Sequence, residues 1–122
     1  LEINIDPNDD ARYRISMMIE KAAAQLEALG NSSRLKIYRT LVRAGRKGIA
    51  VGQLQERVGI PASTLSHHLK RLVDTGLASQ ERQATTLICR ADYSSMQLLI
   101  GFLSDECCAD EGCAATSEEE AA

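Results

Sequence analysis

The sequence predicts a mainly α chain with one small β-hairpin. Three observations carry this. Apolar residues recur at helical spacing along most of the 122 residues. One pair of short helices is broken by a glycine. Two short segments, 78–82 and 86–90, the second with the β-branched Thr86 and Ile88, read as paired strands.

Taken in order, residues 1–14 read as a leader that is disordered or foreign to the natural protein, with Met17–Met18 a candidate natural start. Residues 15–29 form a helix with Ile19, Ala22, Ala23, Leu26 and Leu29 on one side. Asn31 or Ser32 caps a second helix running to about Ala44, with Leu35, Tyr38, Leu41 and Val42 as its buried face. Residues 45–48 are a basic loop whose Arg46 and Lys47 can reach phosphates. Val51, Leu54 and Val58 mark a short third helix, and Gly59 the turn after it.

The stretch 61–77, PASTLSHHLKRLVDTGL, is the most informative. Leu65, Leu69, Leu72 and Val73 form one apolar stripe. The opposite face carries Ser63, Thr64, Ser66, His67, Lys70 and Arg71, short hydroxyls and donors suited to phosphates and base edges. Pro61 suits a helix start and Gly76 its end. Helix, glycine turn, helix with a basic outer face is a DNA-reading arrangement. Taken alone, the pair also fits an ordinary αα-hairpin with a solvated face. The hairpin tip, residues 83–85, lacks the glycine of a standard two-residue turn. Ser94 or Ser95 caps a last helix running to about Cys107.

Three strings carry a resemblance: NSSRLKIYRTL at 31–41, STLSHHLKRLVDTGLA at 63–78, and the strand pair after them. Over residues 26–103 the chain resembles the ArsR-type winged-helix repressors of bacteria. The resemblance implies a winged helix-turn-helix homodimer over residues 15–107 that represses a promoter and releases its double-stranded operator on binding an inducer. It makes Arg82 and Gln83 the wing's contacts to DNA. It also places the first and last helices at a two-fold interface. The candidates there are Ile19, Leu26, Met96, Leu99, Ile100 and Leu103. The last helix, too apolar for one contact face, fits such a double use.

The formal charge of −3 hides a segregation. Residues 1–10 hold four acids and no base, and residues 105–122 hold seven acids and no base. The remainder carries all fourteen Lys and Arg against six acids, a net of +8. That bias fits a phosphate-binding surface better than a protein-contact domain. No apolar run is long enough to span a membrane and no signal-peptide pattern is present, so a cytoplasmic protein without membrane contact is expected. There is no glycine-rich phosphate loop, paired-carboxylate site or nucleophile elbow, and the chain does not read as an enzyme.

Four cysteines supply the regulatory chemistry: Cys89 in the second strand, the vicinal Cys107 and Cys108, and Cys113 in the acidic tail, residues 108–122. Three thiols within seven residues can converge on one soft centre. Trivalent arsenic or antimony, taking three sulfurs, fits Cys107, Cys108 and Cys113 as an inducer, with no metal needed for folding. A monosubstituted arsenical needs only two, from the vicinal pair or from Cys89 with Cys107, although Cys89 reads first as a strand residue packed inward. Some relatives of the resembled family bind arsenic through a Cys-x-Cys where this chain has IAVGQL (49–54), and others bind zinc through histidines of a last helix that here has none. Neither site carries over, although zinc on four thiolates is chemically open. His67 and His68 point about 100° apart on a helix and are not a metal pair. The competing signal is redox: a tail thiol that oxidises or takes a persulfide, resolved by Cys89.

Overall fold

A computed structural model describes residues 7–112. Five helices and three strands follow one another as α1 (Pro7–Leu29), α2 (Ser32–Ala44), β1 (Ile49–Ala50), α3 (Val51–Val58), α4 (Ala62–Asp74), β2 (Ala78–Gln83), β3 (Thr86–Ala91) and α5 (Tyr93–Ser104), with a single 3₁₀ turn at Ala109–Glu111. The chain is thus mainly helical with a winged helix-turn-helix order, as the sequence predicts.

The core lies where α2, α3 and α4 meet the sheet. Ile37, Leu41, Leu54, Leu65, Leu69, Leu72, Leu77 and Cys89 are fully buried. Each buried leucine contributes about 1.5–3 kcal/mol relative to an exposed one. The α4 stripe therefore anchors that helix and leaves its other side outward. Gly59 ends α3 in the left-handed region, with its N–H on the Gln55 carbonyl at 2.8 Å, and this sets the turn into α4.

Several local expectations change. The first helix begins at Pro7, so residues 7–14 of the expected leader are helical. On α2 the inward residues are Ile37, Tyr38 and Leu41, whereas Leu35 is exposed, because the helix turns that face to the sheet and α4. Asn31 is its cap, accepting from the Arg34 N–H at 3.0 Å. The sheet gains a third strand, in the order β1-β3-β2, all antiparallel. Ile49 pairs with Cys89 and Ala50 with Ile88, and this two-residue strand was invisible to periodicity. The wing turns at Ala84, whose φ of +56° supplies the twist that glycine usually gives. Asp92, not Ser94 or Ser95, caps α5 by accepting from the Ser95 N–H at 3.0 Å, and α5 stops at Ser104 rather than Cys107.

The two outer helices are built on small or shared contacts. Ala22, Gln25 and Ala28 turn α1 inward. Ile15, Met18, Ile19 and Leu26 stay outside. On α5, Leu99 is buried within the chain and Met96 packs partly against the core, whereas Leu98, Ile100 and Leu103 are exposed. Of the six interface candidates, Leu99 and Met96 thus face inward, because α5 packs on the core through them. Ile19, Leu26, Ile100 and Leu103 face out. Among the described residues no helix is long and apolar enough to cross a membrane.

Candidate nucleic-acid interface and thiol pair

With Leu65, Leu69 and Leu72 committed to the core, helical geometry turns Ser63, Thr64, Ser66, His67 and Lys70 outward, and all five are exposed. They are the expected reading face. Pro61 opens the helix with extended backbone, its carbonyl accepting from Leu65 N–H at 2.9 Å. Lys70 Nζ lies 3.0 Å from Asp74 Oδ2, an exposed pair one turn apart. Such pairs are worth only a few tenths of a kcal/mol, so the ammonium is readily given up to a phosphate.

Arg71 and His68 sit differently. Arg71 is half-buried and ion-paired with Glu27 of α1. To contact DNA it must leave that carboxylate. His68 Nδ1 is 3.3 Å from an Arg34 guanidinium nitrogen. A guanidinium only donates, so His68 accepts there and carries its proton on Nε2. Burial, then the charges of Arg34 and His67, hold the His68 imidazole below its ordinary range. The two histidine rings are tilted by 55°. Among the described residues no three of His, Cys, Asp and Glu are grouped to hold a metal.

The wing presents Arg82 and Gln83 beside its tip, both exposed. Glu81 is occupied: its Oε1 accepts from Arg90 at 2.7 Å and from Gln83 at 3.4 Å, and these bonds keep its carboxyl below the usual range. Arg90 Nε also donates to the Arg46 carbonyl at 2.9 Å, tying the wing base to the α2–β1 loop. The Arg46 guanidinium lies 5.8 Å from the centroid of the Tyr93 ring, while Lys47 shares a separate basic hollow with Arg43 and Arg57.

The thiols fall into two groups. Cys107 and Cys108 are exposed in the turn after α5, their sulfurs 3.7 Å apart. Two thiolates on one tetrahedral centre with metal–sulfur bonds of about 2.3 Å sit about 3.7–3.8 Å apart, close to the separation of this pair. Cys89 is elsewhere. It is fully buried in the core, paired in the sheet with Ile49 and Gln80, and its sulfur receives only a weak bond from Gln80 at 3.8 Å. Burial pushes its thiol up. Cys89 is thus the inward-packed strand residue expected first from the sequence, and its place in the core sets it apart from the tail thiols. Cys113 lies outside the described residues.

Sequence reasoning missed the polar residues that hold α4 from behind. Gln25 on α1 donates to the Thr75 carbonyl at 2.9 Å, and Arg34 Nε donates to the Ala28 carbonyl at 2.6 Å. The available signal was a lone amide three residues from each of two alanines, Ala22 and Ala28, which puts all three on one helix face.

Residues 29–81 match a family model described as a helix-turn-helix domain. The chain is 37% identical over 86 residues to the nodulation protein NolR of Rhizobium meliloti, covering 70% of this chain and 68% of NolR. It is 33% identical over 89 residues to the HTH-type transcriptional regulator YgaV of Escherichia coli strain K12, covering 73% of this chain and 88% of YgaV. In fold it is similar to the homodimeric winged helix-turn-helix DNA-binding domain of Mb0332 from Mycobacterium bovis, described as a possible ArsR-family transcriptional regulator. The TM-score is 0.59 at 22% identity, over 88% of this chain and 93% of that one.

Proposed function

The chain belongs to the helix-turn-helix transcriptional regulators, and on that premise we propose that it is an ArsR-type repressor released by a trivalent arsenical. A homodimer holds operator DNA through α4 and the wing. Ser63, Ser66 and His67 read base edges, while Lys70 and Arg82 take phosphates. The inducer is ligated by Cys107 and Cys108, with Cys113 as third ligand for inorganic arsenite or an antimony counterpart.

The observation that carries the inducer is the exposed sulfur pair 3.7 Å apart at the end of α5. Thiolates select thiophilic ions over magnesium or calcium. The outward leucines and isoleucine of α5 stop just before the pair, so ligation acts on the end of a helix that the dimer uses. Release follows if the ligand binds the DNA-free shape more tightly, and a coupling of about 1–3 kcal/mol corresponds to roughly 5–150-fold weaker DNA binding.

The test is fluorescence anisotropy of a labelled operator, titrated in parallel with arsenite, a monosubstituted aryl arsenical, zinc and peroxide. Arsenicals release wild type. Cys107→Ser and Cys108→Ser bind DNA and no longer respond. Cys113→Ser loses the arsenite response and keeps the response to the aryl arsenical. Release of the Cys107→Ser/Cys108→Ser double variant at the wild-type arsenical concentration sinks the assignment. Release of wild type by peroxide alone puts thiol oxidation in its place.

A further inference from the structure

We propose that Gln25 of α1 is a positioning residue that sets the pose of the recognition helix α4, with Arg34 as its second support. The proposal rests on the reading of α4 as the DNA-contacting helix.

Gln25 is 3% exposed and is the one buried polar or charged side chain among the described residues. A buried amide persists only where it is hydrogen-bonded. Its Nε2 donates to the carbonyl of Thr75, the residue that caps α4. The neighbouring Gly76, at φ +82°, lies beside both helices: a Cβ there would be in ordinary contact, 3.9 Å, with Gln25 Nε2, Lys21 Cε and Ser95 Oγ. The end of α4 therefore meets α1 and α5 at one point, and Gln25 is the polar fastener there. It also borders the hollow of about 280 Å³ between α1 and α5.

Two further contacts fall on the same side of α4. Arg34 joins the Ala28 carbonyl to His68 Nδ1, and Glu27 pairs with Arg71. Residues 68, 71 and 75 lie within about 60° of one another at 100° per residue. They form a strip between the buried leucines and the outward Ser63, Ser66, His67 and Lys70. Apolar packing fixes how deep α4 lies, but it is non-directional. The hydrogen bonds of this strip fix its rotation and its slide along its own axis. Base-edge contacts depend on both, whereas phosphate attraction depends on them far less.

The experiment compares two affinities for each protein: for a duplex selected by wild type from a random library, and for a random duplex, at one salt concentration. Gln25→Met keeps the shape and removes the donor. Arg34→Lys keeps the charge and removes the fork that reaches both partners, at a part-exposed site where folding is not at stake. We expect Gln25→Met to bind the selected site about tenfold more weakly, with random-duplex affinity within about twofold of wild type. Arg34→Lys moves the ratio the same way, about threefold. A purely structural role lowers the active fraction and both affinities together, and that outcome overturns the proposal. So does an unchanged ratio in both variants. A wild type that selects no site overturns the repressor reading itself, a result visible before any variant is made.

Discussion

Lys70 stands out from α4 with only Asp74 beside it. Removing it deletes one cation from the reading face and leaves the fold untouched. Lys70→Ala should weaken binding to every duplex and reduce the slope of log affinity against log salt by about 1. An unchanged slope means that α4 does not lie against phosphates as assigned. Cys89 is the opposite case, a nucleophile withdrawn from solvent. Only thiolate reacts readily, and burial disfavours it here. An alkylating agent should label Cys108 in the native protein and Cys89 only after denaturation, read by peptide mass spectrometry. Native labelling of Cys89 at the rate of Cys108 would return it to the sensing set. His68 gives a pH signature. Its folded pKa lies below the ordinary 6.5, burial first and Arg34 second. As pH falls through about 6.5, the unfolded chain takes a proton that the folded chain refuses. Stability from this group is full above that value and is lost as pH drops toward the folded pKa. Wild type should lose unfolding midpoint as pH falls below about 6.5, and His68→Gln should flatten that fall.

Among the elements, the sheet shows where sequence reading succeeds and where it stops. The β2–β3 hairpin was legible chiefly from the β-branched Thr86 and Ile88 of its second strand, and α3 and α4 from their apolar spacing and Gly59. Strand β1 was not, because two residues carry no period and its existence depends on β3 being in place. Gly48 makes that docking possible. It has φ +79°, and a Cβ would stand 2.7 Å from Ile88 Cγ2, 2.8 Å from Arg90 Cγ and 2.9 Å from the Cys89 carbonyl oxygen. Gly48→Ala meets both a left-handed backbone and a backbone oxygen that cannot give way. It should cost about 2–4 kcal/mol by denaturant unfolding, the sum of a disfavoured φ and overpacking. A loss under about 1 kcal/mol means β1 is not held against β3 in this register. The outward face of α4 was legible because amphipathicity assigns both faces at once. The support behind it was not: Gln25, Glu27 and Arg34 act through tertiary partners 34 to 50 residues away, and no local pattern announces them.

At the scale of the whole molecule, the described residues leave an apolar surface on α1 and α5 uncovered. Ile15, Met18, Ile19 and Leu26 of α1 and Leu98, Ile100 and Leu103 of α5 are all exposed, Leu98 at 65% and Leu103 at 59%. Scattered exposed leucines are ordinary, but two facing stripes on helices in mutual contact form a patch that marks an interaction site. On the proposed reading a second copy would cover it with the same residues on both sides, as a two-fold interface requires, and would bring two α4 helices to one duplex. Four of the six interface candidates read from the sequence, Ile19, Leu26, Ile100 and Leu103, are exposed on this surface. Leu99 is not, and its inward turn is the error of a helical-wheel stripe, which does not say which of two apolar faces packs inside. That error supplies the control. Ile100→Glu places a charge on the outward face, where a lone chain tolerates it and a dimer must desolvate it. It should sediment as a folded monomer at micromolar concentration, with a wild-type circular dichroism spectrum. Operator affinity should fall by about 10²-fold or more as the second half-site contact is lost. Leu99→Glu strikes the core and should unfold the chain instead. A folded Ile100→Glu dimer with undiminished affinity places the two-fold axis on another face. In that case the thiol pair at the end of α5 loses its short route to the recognition helices, even if it still binds arsenic.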